Sequence, residues 1–462
     1  MLRDQLLRAF LMGVVQFWGF WATPLFHPGA FRCHRALKCL AKEEFGASLS
    51  WSSKLFKYQM ESLPTVLLRP GEADRVLAGH PWIYQGSILR LTTPPTDGDV
   101  VQVKDHRQRF LGIGFYNSKS KIGVRLLETE RVPVDEKFFE QKIRTAFALR
   151  QKHLPGATSF RVVNSEGDFL SGLIVDKYED VLVIQISSMG MDRRKHQIVS
   201  VLQKVFSPRA ILERSDTGAR KFEGLPDSQG LLAGAFEGEI GVNLNGLRWQ
   251  TNLVGGHKTG LYLDQQVNYQ RVAEMVARTP GGQVLDCFSF LGGFALHAAR
   301  AGAAHVHGVE QSAELVAAAA RHAASNGFGE TCSFEAANVF DWLKARTATQ
   351  PHERIVPQFD FIILDPPSFT RTRASVPDAL RGYKEIHLRA FKLLKIGGTL
   401  ATFCCSHHVD AVTFQEVIFA AAVDAHRILR RVALFTQGPD HPVIPGIPET
   451  EYLKGFAFEL VK

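Results

Sequence analysis

Apolar and polar positions divide the chain into four stretches. Residues 9–26, AFLMGVVQFWGFWATPLF, are almost continuously apolar behind Arg3 and Arg8, and no period holds from there to residue 60. Residues 61–130 alternate in short runs (TVLLRPG, HPWIYQGSILRL, DGDVVQVKD, FLGIGFYN, KIGVRLL) with Gly, Pro and Asp between them. Period-two runs of β-branched residues bounded by turn residues predict strands, here a small β-rich barrel. Residues 131–250 mix periods. Phe138, Ile143, Phe147 and Leu149 lie near helical spacing, GLIVDKY, VLVIQIS and AILERSD read as strands, and RRKHQIVSVLQKVF reads as a helix. A glycine-rich loop then leads to GEIGVNLNGLRWQTNL, where Asn245-Gly246 predicts a tight hairpin turn. This is a mixed α+β middle domain. Across residues 251–462, apolar strands (QVLDCFSF, HVHGVEQ, FDFIILDPP, TLATFCCS) alternate with helices (264–278, FALHAARAGA, AELVAAAARHAASNGF, LRAFKLLK), with a Gly-Gly turn before the last strand. Strands without a polar face are covered on both sides, so this half predicts an α/β domain with a parallel doubly wound sheet. Such sheets take ligands beyond the carboxyl ends of their strands.

Composition changes this picture little. A net charge of +8 is compatible with a polyanionic partner. Six cysteines spread over 462 residues, without a C-x-x-C pair, form no disulfide framework and point to a reducing, cytoplasmic setting. The stretch CHRALKC (33–39) lacks the second pair a zinc site needs, so no metal is expected. Two readings compete for residues 1–60: an extension outside the fold from an over-long start, or an anchor formed by residues 9–26.

Candidate chemistry clusters at the predicted strand ends. In VLDCFSFLGGFALHAA (284–299) a strand reaches Asp286, and Gly292-Gly293 opens a helix. Glycines there admit a ligand close to the backbone, but the dinucleotide G-x-G-x-x-G is missing, which disfavours a nicotinamide enzyme. Glu310 closes the next strand, where a carboxylate can accept ribose hydroxyls, and Asn338 follows the third, where an amide can meet adenine. FIILDPPSF (361–369) fixes Asp365 at a strand end, because proline locks its own φ and restricts the residue before it. LATFCCSHH (400–408) ends a strand in two cysteines, and alternation lets only one of them face the cleft. A thiolate there can attack an electrophilic ring carbon.

From about residue 65 to 460 the chain resembles the bacterial large-subunit rRNA cytosine-C5 methyltransferases. The matching segments include HPWIYQGSI, GFYNSKSKIGVRLL, EGDFLSGLIVDKY, GHKTGLYLDQQ, LDCFSFLGGFA, ILDPPSF, RGYKEI, TFCCS and DHPVIPGIPETEYLKGFAF. The resemblance implies a PUA domain, an α+β middle domain and a class I, Rossmann-like methyltransferase domain. It implies S-adenosylmethionine as cofactor, with Tyr262, Leu263, Asp264, Gln265, Asp286, Ser289 and Gly292 at its methionine end. Glu310 would hold the ribose, Asn338 the adenine, and Asp365 the target base. Family members read T-F-S-C-S at the last motif, so Cys405 is the implied nucleophile and Cys404 a packed neighbour. A lysine usually follows the family's Asp-Pro-Pro, whereas this chain has Ser368. The implied partner is large-subunit rRNA, and a homodimer is compatible. Two rivals remain: a methyltransferase acting on a base nitrogen, which needs no cysteine, and a non-catalytic RNA-binding assembly factor.

Overall fold

Six short strands open the described structure, a computed structural model that covers residues 63–255, 260–348, 355–370 and 372–462. The apolar segment 9–26 and the CHRALKC stretch lie outside those residues. Strands β1 (Thr65–Leu68), β2 (Trp82–Tyr84), β3 (Ile88–Leu91), β4 (Val100–Lys104), β5 (Phe110–Tyr116) and β6 (Ile122–Glu128) pair in the order β2-β6-β5-β4-β1-β3. Their alternation puts Val66, Leu68, Ile83, Val101, Val103 and Val124 in one apolar cluster.

Helix α1 (Glu136–His153) follows, capped by Asp135, whose side chain accepts from the Phe138 N–H. Its buried face is Phe138, Phe139, Ile143, Ala146 and Arg150. Phe147 and Leu149, expected on that face, are only partly buried at its margin. Next come β7 (Ser159–Asn164), β8 (Leu173–Tyr178), β9 (Val181–Ile186), helix α2 (Lys195–Phe206), β10 (Ala210–Ser215) and β11 (Ser228–Gly234), in sheet order β11-β10-β9-β8-β7. The expected glycine-rich loop is therefore partly a strand. Gly230 and Gly234, at φ 141° and 75°, broke the apolar alternation that would have revealed β11. The predicted hairpin is present as β12 (Glu239–Leu244) and β13 (Leu247–Asn252). Both turn residues are left-handed, Asn245 at φ 55° and Gly246 at φ 80°, as a type I′ turn requires.

The last sheet carries α3 (Gln266–Val276), β14 (Gln283–Cys287), α4 (Gly293–Arg300), β15 (His305–Glu310), α5 (Ala313–Ser325), β16 (Cys332–Ala336), α6 (Val339–Thr347), β17 (Phe359–Leu364), α7 (Val376–Leu393), β18 (Leu394–Cys404), α8 (Ala411–Asp424), β19 (Leu429–Thr436) and β20 (Lys454–Leu460). Strand order is β16-β15-β14-β17-β18-β20-β19. The first five strands are parallel, but β20 runs antiparallel to both β18 and β19, so the sheet is not wholly parallel. A loop rather than a crossover helix joins β19 to β20, and neighbours joined that way reverse direction. Gly397-Gly398 is a bulge, not a turn ahead of the strand, because Phe359 pairs with Leu394 and Phe361 with Thr399. Two apolar cores cover the two faces. One includes Val284, Ile363, Ala401 and Phe403, together with Trp249 of the hairpin. The other includes Leu285, Leu364, Leu400 and Cys404. Among the described residues no helix is long and apolar enough to cross a membrane.

Candidate active site

The parallel arrangement brings Asp286, Glu310, Asp365 and Cys405 to the carboxyl edge of neighbouring strands. Asp286, in β14, is buried, and its Oδ2 accepts from the Ala295 N–H at 3.0 Å. Burial first, then the Asp365 and Glu310 carboxylates, push its carboxyl well above the ordinary aspartate range. The loop beyond it is strained, with Phe288, Phe290 and Gly292 at φ 63°, 50° and 85°. A Cβ at Gly292 would come 2.8 Å from Leu296 Cδ1, and one at Gly293 would strike the Tyr269 ring at 2.6 Å. Gly293 thus serves helix packing.

Glu310 ties this loop to the next helix. Its Oε2 accepts from Phe290 N at 3.0 Å and its Oε1 from Ser312 N at 3.1 Å. Asn338 is exposed and caps α6, its Oδ1 accepting from Phe340 N and Asp341 N. The side-chain group left for a ligand is its Nδ2 donor, which suits a ring-nitrogen acceptor better than an amino group.

Asp365 leaves β17 half-buried, and its Oδ2 accepts from Gln265 Nε2 at 3.1 Å. Gln265 Oε1 in turn accepts from Asn268 Nδ2 at 2.7 Å. Asp264 Oδ2 accepts from the Tyr452 hydroxyl at 2.6 Å. The Leu263 side chain is buried in the apolar core. Tyr262 is half-buried with its ring 4.6 Å from that of Phe290. Burial pushes its phenol above the ordinary range, and Asp365, Asp264, Cys405 and Glu310 add to the shift in that order. One phenol thus feels four of the candidate groups.

The paired cysteines separate as strand alternation requires. Cys404 is wholly buried among the residues of one face, and its Sγ donates to the Tyr383 hydroxyl at 3.3 Å. Cys405 is half-buried and packs against the opposite core. Lys454, paired with Cys404 across β18 and β20, donates from Nζ to Ser406 O at 2.8 Å. Burial lowers the Lys454 ammonium, and both cysteines oppose that shift.

Residues 66–129 match the PUA-like domain family, and residues 225–409 match the S-adenosylmethionine-dependent methyltransferase family. A Vibrio vulnificus protein named ribosomal RNA large subunit methyltransferase I is 36% identical over 402 residues, 86% of this chain and 99% of that protein. The protein of the same name from Shewanella amazonensis is 37% identical over 395 residues, 84% and 98% of the two chains. The chain belongs to the ribosomal RNA large subunit methyltransferase I family. Its fold also matches a Streptococcus mutans protein described as an S-adenosylmethionine-dependent methyltransferase, with TM-score 0.70 and 20% identity over 85% of this chain and 99% of that one. A methyltransferase structure solved with S-adenosylhomocysteine (SAH) matches with TM-score 0.71, 20% identity and the same coverage.

This family member is therefore an S-adenosylmethionine-dependent methyltransferase, and its own residues fit that cofactor. Among the described residues, neither Asp286 Oδ1 nor Ser289 Oγ has a hydrogen-bond partner, although both are buried. Buried polar atoms without partners are costly and point to a missing ligand. Burial and then the Asp365 and Glu310 carboxylates raise the Asp286 carboxyl, so a ligand carrying positive charge would relieve the cluster. Several supporting residues escaped the sequence reading: Asn268, Tyr383, Ser406, Tyr452 and Lys454. RGYKEI, TFCCS and ETEYLKG contain four of them, but their roles depend on partners distant in sequence.

Proposed function

We propose that this chain methylates C5 of a cytosine in large-subunit rRNA, with Cys405 as covalent nucleophile. The observation that carries the reading is that Asp365 and Cys405 follow the carboxyl ends of the parallel neighbours β17 and β18, with Cys405 turned to the opposite face from the buried Cys404. The substrate class rests on the names of relatives at 36–37% identity. The basic net charge and the PUA-like match are consistent with it.

Asp286, Ser289 and the Gly292 turn would hold the methionine end of the cofactor, with Asp264 and Tyr262 beside it. Glu310 would accept the ribose hydroxyls and Asn338 would donate to the adenine ring. Gln265 is better read as orienting Asp365, since its amide is divided between Asp365 and Asn268. When bound, S-adenosylmethionine supplies an electrophilic methyl group on a sulfonium sulfur. Cys405 thiolate adds to C6 of the cytosine, and the C5–C6 electrons it displaces make C5 nucleophilic. Asp365 shares a proton with N3 and offsets the charge that develops on the ring. After C5 is alkylated, a base takes the C5 proton; the C5–H electron pair re-forms the C5–C6 double bond and the S–C6 pair returns to sulfur, restoring the aromatic ring and the Cys405 thiolate. A stacked base cannot meet Cys405, so the target nucleotide must be unstacked or flipped.

Replacing Cys405 with Ala tests this reading in a methyl-transfer assay on unmodified rRNA, read by nucleoside mass spectrometry. We expect 5-methylcytidine to fall by at least on the order of 10³-fold while cofactor binding persists. Retained transfer in Cys405→Ala, or product methylated on a base nitrogen, would replace the cysteine route with direct transfer.

A further inference from the structure

The residue after Cys405 is held from three separate elements. Ser406 is wholly buried. Its hydroxyl lies 3.0 Å from Ser368 Oγ, on the Asp-Pro-Pro loop, and 2.9 Å from the Tyr383 hydroxyl of α7. Its carbonyl accepts from Lys454 Nζ of β20. Proton accounting gives this cluster a direction. Ser368 Oγ must donate to Thr370 O, 2.8 Å away, because a carbonyl only accepts. Ser406 must then donate to Ser368, and Tyr383 must donate to Ser406. Cys404 donates its S–H to Tyr383 at 3.3 Å. Each proton in the run Cys404, Tyr383, Ser406, Ser368, Thr370 is used once.

We propose that Ser368 and Tyr383 are positioning residues that lock the turn after Cys405 to the loop carrying Asp365. This rests on the reading of Cys405 as nucleophile. The relay binds two strand ends, β17 and β18, whose loops each carry one reacting group. It also ties Cys404 Sγ to the Tyr383 hydroxyl inside the opposite core, so that of two adjacent thiols only Cys405 is placed to act on the base. Ser368 suits this place because it accepts one proton and donates another. A lysine there offers donors alone and could not close the same relay.

The test compares Ser368→Ala, Ser368→Thr, Ser368→Lys and Tyr383→Phe with the wild-type enzyme, measuring kcat, KM for rRNA, KM for S-adenosylmethionine and thermal melting. A sub-ångström to ångström misplacement of reacting groups lowers rate rather than affinity, by up to about 10²-fold. We expect Ser368→Ala and Ser368→Lys to lower kcat roughly 10-fold or more, with both KM values within about twofold. Ser368→Thr, which keeps the hydroxyl, should recover most of the rate. Tyr383→Phe, which removes the donor to Ser406 and the acceptor for Cys404, should lower kcat at least as much. Unchanged kcat in Ser368→Ala and Tyr383→Phe overturns the proposal, as does a loss that threonine fails to recover. Cys405→Ala separates the two ideas. If it is inactive while Ser368→Ala is unimpaired, only the relay falls; if it is active, the nucleophile assignment falls first.

Discussion

Asp286 is a single buried carboxyl that costs the ligand-free fold stability. Its carboxyl is pushed well above the ordinary value of 3.8, by burial first and by Asp365 and Glu310 after it. A folded carboxyl with a raised pKa favours folding while it is protonated, and that contribution is lost as pH rises from the ordinary aspartate value through the folded one. Asp286→Asn keeps an oxygen for the Ala295 N–H and removes the charge. We therefore expect a higher melting temperature for the ligand-free variant at neutral pH. Cofactor affinity in calorimetry should fall about 10-fold or more, the scale of one lost charged hydrogen bond. Equal melting and equal affinity would remove Asp286 from the cofactor site. At this scale the sequence was informative where a residue closes an apolar strand, as Asp286, Glu310 and Asp365 do. It did not show that the tract Tyr262 to Gln265 turns alternate side chains inward, burying Leu263 and Gln265. It was silent on Ser406 and Tyr452, whose partners lie 38 and 188 residues away.

Elements were legible wherever periodicity was clean. Near-continuous apolar runs exposed β14, β15 and β17, and the Asn-Gly pair exposed the β12–β13 hairpin. Glycines hid β11, and the antiparallel direction of β20 could not be read from its apolar run, since burial on two faces looks the same in either direction. The hairpin is fastened to the catalytic domain by Asn245 Nδ2, which donates to Gln266 O at 2.7 Å, and by Trp249 in the shared core. Gly246 sits at φ 80°, and an added Cβ would meet only Arg300 Nη1 at 3.5 Å, an ordinary contact. The cost of Gly246→Ala is thus conformational, about 1 kcal/mol. Urea denaturation should show that loss with kcat unchanged. A loss of several kcal/mol, or a fall in kcat, would give the turn a role beyond closing the hairpin.

At the scale of the whole described structure, ion pairs join the first two sheets. Arg125 of β6 reaches Glu223 Oε1 at 2.9 Å and Glu166 Oε1 at 3.3 Å, and Trp82 Nε1 donates to Glu166 Oε1 at 2.9 Å. Burial opposes ionisation of Glu223, but Arg125, with Ser120 and Asn117, holds its carboxyl below the ordinary range. A depressed carboxyl stabilises the fold above its unfolded pKa and loses that contribution as pH falls through the folded one. Arg125→Met leaves this carboxylate buried and uncompensated, a loss of about 3 kcal/mol at neutral pH. The gap from wild type should narrow in acid, below the ordinary glutamate value of 4.5, once Glu223 is protonated. Denaturation at two pH values checks this, and a pH-independent gap would contradict it. The loop between β19 and β20 makes a second junction. Glu449 pairs with Arg75 and His80, the Asp440 carbonyl accepts from Arg150, and Tyr452 reaches Asp264. Such contacts join residues up to 374 positions apart, so no local pattern announces them.

The most direct test of the covalent account is a trap. Cytosine carrying fluorine at C5 has no proton to lose there, so the enzyme should remain joined to it after methyl transfer. Wild-type enzyme, S-adenosylmethionine and 5-fluorocytidine-containing rRNA should give a denaturation-resistant adduct that maps by peptide mass spectrometry to Cys405 and is missing in Cys405→Ala. No adduct from enzyme that methylates ordinary rRNA, or an adduct on Cys404 or any other residue, would contradict the mechanism.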